Sequence, residues 1–204
     1  MLLAYVSLGS NLPSRAGTPE ATLAAAVPCV GTLGAITACS SLYSTTPVGF
    51  ADQPRFLNAV VALETAHSPR ELLASLLHIE RDFGRDRRFA IPDGPRTVDL
   101  DLLLYGDLVL NQAGLVLPHP RFTQRAFVLT PLNEIAPQIR DPLSGRTVSE
   151  LLQALRNSPS TSPIHEIDAV IQIESDLWRA ASFGAAAVGS PSPGPSVSLD
   201  PHHD

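Results

Sequence analysis

The sequence predicts an α+β protein, a ferredoxin-like sandwich with helices on one face of a mostly antiparallel sheet and a C-terminal tail. The order of the periodic segments predicts this fold class, because their patterns are typical of a strand, a helix, two strands, a helix, a strand and then further helices. Composition agrees, since 204 residues with 44% apolar side chains can bury one sizeable core. The tail is predicted from a change near Asn157, after which six Pro and nine Ser occur and regular periodicity fades.

Turn and capping signals predict the first strand and the first helix. Residues 2–8 are a short apolar run that ends at Gly9, Ser10 and Asn11, which is typical of a buried strand followed by a tight turn. Thr18 then provides an N-cap, and Pro19 stands at the first helical position. These signals predict a helix that continues to about residue 27.

Two strands and a second helix follow. Strands are predicted at residues 35–44 and 56–65, and the loop between them, residues 45–55, contains two prolines and one glycine. Ser68 and Glu71 are spaced as a capping box, so a helix begins there, and its stripe of leucines at helical spacing ends at Gly84.

The strongest strand is predicted at residues 98–105, and further helices at 126–135 and 148–155. One folded domain is predicted to span residues 1–156, and residues 157–204 form a tail rich in Pro, Ser and Ala. Within the tail, residues 164–178 are periodic enough to form one dispensable element packed on the outside. Residues after about 184 are predicted to be disordered.

Composition and charge exclude several functions. All 14 cationic side chains are Arg, so there is no Walker-A lysine, Schiff-base lysine or lysine general base. The formal charge of −6 argues against nucleic acid as a partner. The N-terminal segment lacks the features of a secretory signal, and no apolar run reaches the roughly 18 residues of a membrane span. We therefore expect a cytoplasmic protein without a membrane partner, in which Cys29 and Cys39 are buried free thiols.

The first chemical motif is Asp99-Leu100-Asp101 in the strongest predicted strand. Residues two apart share a face of a strand, so the two carboxylates lie roughly 6.5 to 7 Å apart along it. Two carboxylates on an otherwise apolar strand favour a cation beside them, and oxygen ligands favour Mg²⁺. Alternatively, both groups are solvated on an edge strand, because the motif alone is weak.

A loop just before this strand carries four arginines: Arg85, Arg87, Arg88 and Arg96. Guanidinium groups beside a two-carboxylate metal site suit phosphoryl chemistry, because they neutralise the phosphate charge that the metal leaves. The alternative is a solvated loop in which neighbouring aspartates pair with these arginines.

Two further segments contribute candidate ligand contacts. His119 lies between two prolines on a rigid turn, and Arg125 starts the next helix, a suitable place for an anion. The loop at residues 45–49 leads to Phe56 and Asn58, which could stack on and hydrogen-bond a flat polar heterocycle. Taken singly, a structural role for His119 and core packing of Phe56 are the alternatives.

Several segments, in order between residue 4 and about residue 155, resemble 6-hydroxymethyl-7,8-dihydropterin pyrophosphokinase, an enzyme family of folate biosynthesis. They are AYVSLGSNLPSR, YSTTPVGFADQPRFLNAVVALET, HIERDFGR, GPRTVDLDLLLYG, LPHPRFTQRAFVLTPLNEIAP and a weaker P-x-x-G-R-T-V-S-E-L-L. The resemblance implies a ferredoxin-like fold, ATP and 6-hydroxymethyl-7,8-dihydropterin as partners, and transfer of pyrophosphate from ATP to the pterin hydroxymethyl group with release of AMP.

The resemblance also implies a role for individual residues. Asp99 and Asp101 match the metal ligands, which hold two Mg²⁺ ions with ATP, and they are the implied catalytic residues together with Arg85 and Arg96. The implied ATP-binding residues are Glu80, Arg85, Arg87, Arg96, Leu102, His119 and Arg125. The implied pterin-binding residues are Thr45, Val48, Phe56, Asn58 and Phe127. The arginine loop lacks the Trp that some members carry, and Phe89 is a possible substitute.

Three alternatives stay open at the level of sequence. A ferredoxin-like RNA-binding module shares the topology, but the negative charge and the lack of an RNA-binding aromatic motif oppose it. A metal-dependent phosphohydrolase would use the same carboxylates with water as the acceptor. A relative that binds nucleotide without catalysis is the third. We expect one activity, because no length remains for a fused domain, and we also expect a monomer.

Overall fold

The computed structural model describes residues 1–50, 52–87, 92–158 and 170–188. Its strands are β1 (Leu2–Ser10), β2 (Ala35–Cys39), β3 (Leu42–Thr45), β4 (Phe56–Thr65), β5 (Asp99–Tyr105), β6 (Leu110–Gln112), β7 (Leu115–Leu117) and β8 (Ile171–Ile173). Its helices are α1 (Pro19–Gly31), α2 (Pro69–Asp82), α3 (Ala126–Ile135), α4 (Val148–Arg156) and α5 (Asp176–Val188). Within these ranges, no helix combines the length and apolarity needed to cross a membrane.

The main sheet is open, and its strand pairs are antiparallel. Its order is β5-β1-β4-β3-β8, with β2 also paired to β4. If β2 and β3 are counted together as the second strand, β4 is the third strand and β5 is the fourth. Across the sheet the order is then fourth, first, third and second. This is the ferredoxin-like order, so the predicted fold class is confirmed. A separate hairpin of β6 and β7 was not predicted.

The prediction of a single strand at residues 35–44 was wrong, because the strand is interrupted at Ser40 and Ser41. The Ser40 hydroxyl accepts a hydrogen bond from the Val60 N–H at 2.9 Å. The Ser41 N–H donates to Glu134 Oε2 of α3 at 2.8 Å instead of to a neighbouring strand. The Ser40 N–H still donates to the Val60 carbonyl at 2.9 Å, but the side-chain partners interrupt the regular ladder and divide the strand into β2 and β3.

The expectation of helices on one face was also wrong, because both faces of the sheet are covered. On β4, Ala59 and Val61 belong to a buried cluster that includes Leu23 of α1 and residues of α2. Val60, which points the other way, belongs to a second cluster with Leu129 of α3 and residues of α4. Consecutive apolar residues on β4 therefore fit a strand that is buried on both sides.

The predicted boundary after residue 156 stays a prediction, but part of the predicted tail has regular structure. The strand β8 pairs with β3, and α5 packs against α1 and β2. The element predicted at 164–178 begins outside the described residues, and within it the chain forms a strand and the start of a helix. That helix continues to Val188, past the point where we expected disorder. Residues 189–204 lie outside the described residues.

Candidate active site

Strand β5 presents Asp99 and Asp101 towards one cleft, as their spacing predicts. Their partners across β1 are the small residues Gly9 and Ser7. A Cβ added at Gly9 would lie 3.0 Å from Asn58 Oδ1 and 3.8 Å from the Asp99 Cβ, so the glycine leaves room for both side chains. The cleft floor therefore consists of β5, β1 and β4.

The cleft has a volume of about 160 Å³. Its walls come from the strands of the floor, from β3 and the segment after it, from the loop before β5, and from the N-terminal end of α3 with the turn that precedes it. The predicted residues that line it are Thr45, Val48, Phe56, Asn58, Arg96, Asp99, Asp101, Arg125 and Phe127. All the predicted pterin residues thus lie in one cleft with both predicted metal ligands.

Asp99 is the carboxylate on which the arginines converge. Arg85 Nη1 is hydrogen-bonded to Asp99 Oδ1, and Arg96 Nη1 lies 3.2 Å from Asp99 Oδ2. Arg87 Nη2 is farther away, at 3.8 Å. Burial alone would raise the pKa of Asp99, but the positive charges of Arg96 and Arg85 outweigh burial and lower this pKa below its ordinary value. Asp99 is therefore an ionised carboxylate inside a cationic cluster.

Asp101 has a different electrostatic environment. Burial raises its pKa, and the neighbouring negative charge of Asp99 raises it further. His119 and Arg125 oppose this shift, although Arg125 Nη1 is 3.9 Å from Asp101 Oδ2. The negative charge of Asp101 is therefore less well compensated than that of Asp99, which favours a cation at this end of the pair.

Glu80, predicted as an ATP-binding residue, connects the arginine loop to β5. Its side chain is only 1% exposed and accepts two hydrogen bonds from Arg87 at 2.9 Å. It also accepts the Leu100 N–H at 2.9 Å on the side of β5 that has no strand partner. Arg85 Nη1 lies 3.4 Å from the same carboxylate. Glu80 thus positions the arginines through buried contacts, and it does not line the cleft.

His119 is held by its backbone and by one ring nitrogen. The pairing of β1 and β5 shifts register at Leu103, and the Leu103 carbonyl accepts the His119 N–H at 2.9 Å. The ring Nδ1 accepts the Arg121 N–H at 3.2 Å, which places the proton of a neutral ring on Nε2. Burial lowers the pKa of His119, against the opposing charge of Asp101. In its neutral form the imidazole therefore donates from Nε2.

Two aromatic rings and one amide form another part of the cleft. The Arg96 guanidinium stacks over Phe56 at 4.9 Å from the ring centre, and the Arg125 guanidinium lies 5.4 Å from that of Phe127. Asn58 Nδ2 donates to Thr45 Oγ1 at 2.8 Å. The arginines that reach the carboxylates thus also touch the predicted stacking residues.

Some predicted residues lie elsewhere. The Leu102 side chain is in the hydrophobic core on the face of the sheet covered by α1 and α2, away from the carboxylates. Arg88 and Phe89 lie outside the described residues. Cys29 and Cys39 are free thiols as expected, but both are only partly buried, and burial raises the pKa of Cys39 to about 11.

Sequence reasoning missed Asn11 and Gln53, which connect three loops around the cleft. These are the turn after β1, the loop before β4 and the loop before β5. Asn11 Oδ1 accepts the Arg96 N–H at 2.8 Å, and Asn11 Nδ2 donates to Gln53 Oε1 at 3.0 Å. Gln53 Nε2 in turn donates to the Asp93 carbonyl at 2.8 Å. The one available signal was a side-chain amide in the turn after the first strand, and it does not identify partners so distant in sequence.

The donor set of the cleft fits a divalent cation that arrives with a phosphate ligand. Asp99 and Asp101 offer only carboxylate oxygens, which are hard ligands of the kind that Mg²⁺ prefers. Across the residues that the structure describes, no group of three or more His, Cys, Asp or Glu is placed to hold a metal. Further oxygens must then come from water or from a bound phosphate, which is how Mg²⁺ usually binds at nucleotide sites.

Comparison with known proteins gives a family match. Residues 5–137 match the family model described as 7,8-dihydro-6-hydroxymethylpterin-pyrophosphokinase (HPPK). The 2-amino-4-hydroxy-6-hydroxymethyldihydropteridine pyrophosphokinase of Pseudomonas aeruginosa is 45% identical over 150 residues, which is 74% of this chain and 90% of that protein. The enzyme of the same name from Synechocystis is 43% identical over 150 residues, 74% of each chain.

The fold has solved counterparts. A Plasmodium falciparum HPPK-DHPS structure with pterin and p-hydroxybenzoate matches with a TM-score of 0.66 at 16% sequence identity. The match covers 85% of this chain and 45% of that one, so this chain spans less than half of the Plasmodium protein. At this identity the likeness supports the fold alone. Together with the two relatives, the family model shows that the chain belongs to the 7,8-dihydro-6-hydroxymethylpterin-pyrophosphokinase family, enzymes that transfer a diphosphate to hydroxymethyldihydropterin in folate biosynthesis.

Proposed function

We propose that the family's reaction takes place in this cleft, with the residues described above in specific roles. The hydroxymethyl oxygen of 6-hydroxymethyl-7,8-dihydropterin attacks the β-phosphorus of ATP with release of the hydroxyl proton, the bond from that phosphorus to the α-phosphate oxygen breaks, and AMP leaves. One observation carries the proposal: the pair Asp99 and Asp101 shares its cleft both with stacking and amide side chains and with arginines. A flat heterocycle suits the first group and a polyphosphate suits the second.

The pterin is proposed to lie between Phe56 and Phe127. Asn58 carries both a donor and an acceptor, so it can pair with the amide edge of the ring, and its bond to Thr45 fixes its orientation. Val48 is partly exposed at the mouth of the cleft and provides an apolar contact. This arrangement selects a planar polar ring over a sugar or a lipid.

The nucleotide is proposed to lie along the arginine side. Arg85, Arg87 and Arg96 offer planar donor groups to the phosphates, and Glu80 keeps the first two beside β5. His119 offers a neutral N–H donor, and Arg125 a positive charge at the N-terminal end of α3. For Leu102, whose side chain is in the core, a nucleotide contact is limited to its backbone.

Asp99 and Asp101 would hold two Mg²⁺ ions that arrive with ATP. Bound there, the ions would neutralise charge on the transferred phosphates and favour an in-line displacement. The chain's own contribution is to keep both carboxylates on one face and to hold Asp99 ionised through Arg96 and Arg85. These arginines can then move from the carboxylate to the phosphates as the substrates bind.

Two further features complete the proposal. We also propose that the protein acts as a monomer, because one chain brings the predicted pterin-binding residues and both predicted metal ligands together in the cleft. The use of ATP and the two free thiols, Cys29 and Cys39, support a place in the reducing cytoplasm.

The requirement for two ions can be tested by varying free Mg²⁺ at constant, saturating MgATP and pterin. The rate should rise with free Mg²⁺ and then saturate, because one ion accompanies the nucleotide and the other needs the carboxylate pair. Asp99→Asn should raise the Mg²⁺ concentration at half-maximal rate about tenfold or more. The matched control, Asp107→Asn on an exposed turn after β5, should respond like the wild type. A rate independent of free Mg²⁺ would reject the second ion.

A further inference from the structure

The segment at residues 170–188 lies beyond the residues that the family model matches, and no step proposed above uses it. It is nevertheless attached to β3, the strand that leads into the pterin side of the cleft. Trp178 in this segment is 4% exposed and belongs to the main core cluster with residues of α1 and β4. The segment therefore packs directly against the rest of the folded domain.

The pairing of β8 with β3 covers the outer edge of β3. Leu42 lies opposite Ile173 and Ser44 opposite Ile171, while the other edge of β3 pairs with β4. β3 ends at Thr45, whose hydroxyl accepts the Asn58 amide in the cleft. Because both edges of β3 are bonded, its position relative to Asn58 depends partly on β8.

Trp178 fixes the start of β3. Its indole Nε1 donates to the Ser40 carbonyl at 2.9 Å, at the interruption between β2 and β3. Without this donor the Ser40 carbonyl would lose a buried partner, because Ser40 is itself almost fully buried. The indole thus holds the backbone in place just before β3 begins.

Two more contacts tie the segment to the same region. Gln172 Nε2 donates to Ser41 Oγ at 2.8 Å, and Ser41 Oγ donates to Glu134 of α3 at 2.7 Å. At the start of α5, Ser175 Oγ accepts the Trp178 N–H at 2.9 Å and is hydrogen-bonded to Glu20 of α1. The segment therefore connects β3 to α1 and, through Ser41, to the helix that carries Phe127.

We propose that residues 170–188 are a positioning element for pterin binding: β8 and Trp178 hold β3 so that Thr45 and the loop after it meet Asn58 in the binding geometry. The inference rests on the proposed pterin side of the cleft. It replaces our expectation that this segment is dispensable. It predicts that damage to the segment changes the KM for the pterin more than the KM for ATP.

The experiment compares three full-length variants by steady-state kinetics and thermal melting. Trp178→Ala should raise the KM for the pterin about tenfold and leave that for ATP within about twofold. Trp178→Phe keeps a ring in the core but lacks the N–H donor, so it should raise the pterin KM about threefold. Leu177→Ala removes the exposed neighbour on the same helix and should match the wild type.

Several results would overturn the proposal. Unchanged KM values in Trp178→Ala, with only a lower melting temperature, would leave the segment a merely structural role. Equal increases in both KM values would also contradict a specific effect on the pterin. If Trp178→Ala does not fold, Trp178→Phe decides, and a wild-type pterin KM in that variant rejects the proposal.

Fluorescence gives a readout that does not depend on activity. Trp178 is the only tryptophan in the chain, so its emission reports whether α5 is docked. A blue-shifted maximum is expected for the wild type, whereas emission like that of tryptophan in water would reject the proposal. If the wild type and Leu177→Ala form no AMP with the pterin, the proposed function fails first, and this inference fails with it. An active wild type beside unaffected variants rejects this inference alone.

Discussion

Asp101→Ala is expected to lower kcat by about 10³-fold or more and to leave the protein folded, because the cleft loses one of the two carboxylates proposed to hold the Mg²⁺ that compensates the phosphate charge. The effect on stability should be unusual. The folded-state pKa of Asp101 is raised above its ordinary value by burial and by Asp99. Ionised Asp101 therefore disfavours the folded state at pH values above both its unfolded and its folded pKa. Near pH 7 the variant should melt at the wild-type temperature or above it.

The matched control for this prediction is Asp107→Ala. Asp107 lies on an exposed turn just after β5, so its removal should change neither kcat nor the melting temperature. Kinetics with both substrates and a melting curve without ligands are sufficient. An active, folded Asp101→Ala protein would contradict the metal assignment, and a strongly destabilised one would contradict the electrostatic description of the site.

Arg96→Ala is expected to lower kcat by about 10²-fold to 10³-fold and also to raise the KM for the pterin. One guanidinium makes both contacts, since it pairs with Asp99 at 3.2 Å and stacks over Phe56 at 4.9 Å from the ring centre. Its backbone is fixed by Asn11, so the side chain starts from a constrained position. Loss of the side chain therefore damages charge compensation and the stacking wall together.

Arg96→Lys separates these two effects. It keeps the charge but loses the planar group, so kcat should recover partly while the KM for the pterin stays high. Arg70→Ala is the control, because Arg70 is exposed on α2, where its side chain donates a hydrogen bond to Gln112, away from the residues that line the cleft. Wild-type kinetics in Arg96→Ala would exclude this residue from the site.

The parts of the fold that depend on local chemistry could be predicted from the sequence. The side chain of Ser68 accepts the Glu71 N–H and Glu71 reciprocates, as the capping box predicts, and Thr18 caps α1. The helix Ala126–Ile135 was predicted with these bounds. Spacing by two also placed Asp99 and Asp101 on one face. In each case the determining partners lie within a few residues of one another.

The features that were missed depend on partners far apart in sequence. The interruption between β2 and β3 at Ser40 involves Trp178, and the placement of the loops around the cleft depends on Asn11 and Gln53. The resemblance placed Glu80 among the ATP-binding residues, but its burial against β5, where Arg85 and Arg87 compensate its charge, could not be predicted from the sequence. Such placements follow from tertiary packing, and periodicity along one segment carries no signal for them.

Product analysis with the full-length wild type tests the central claim most directly. The protein is mixed with Mg²⁺, 6-hydroxymethyl-7,8-dihydropterin and ATP labelled at its β-phosphorus, and the nucleotides and pterins are then separated. The account predicts AMP in a one-to-one ratio with a pterin that carries the label, and no AMP when the pterin is omitted. Formation of ADP with a pterin monophosphate, or release of phosphate without the pterin, would contradict diphosphate transfer in this cleft.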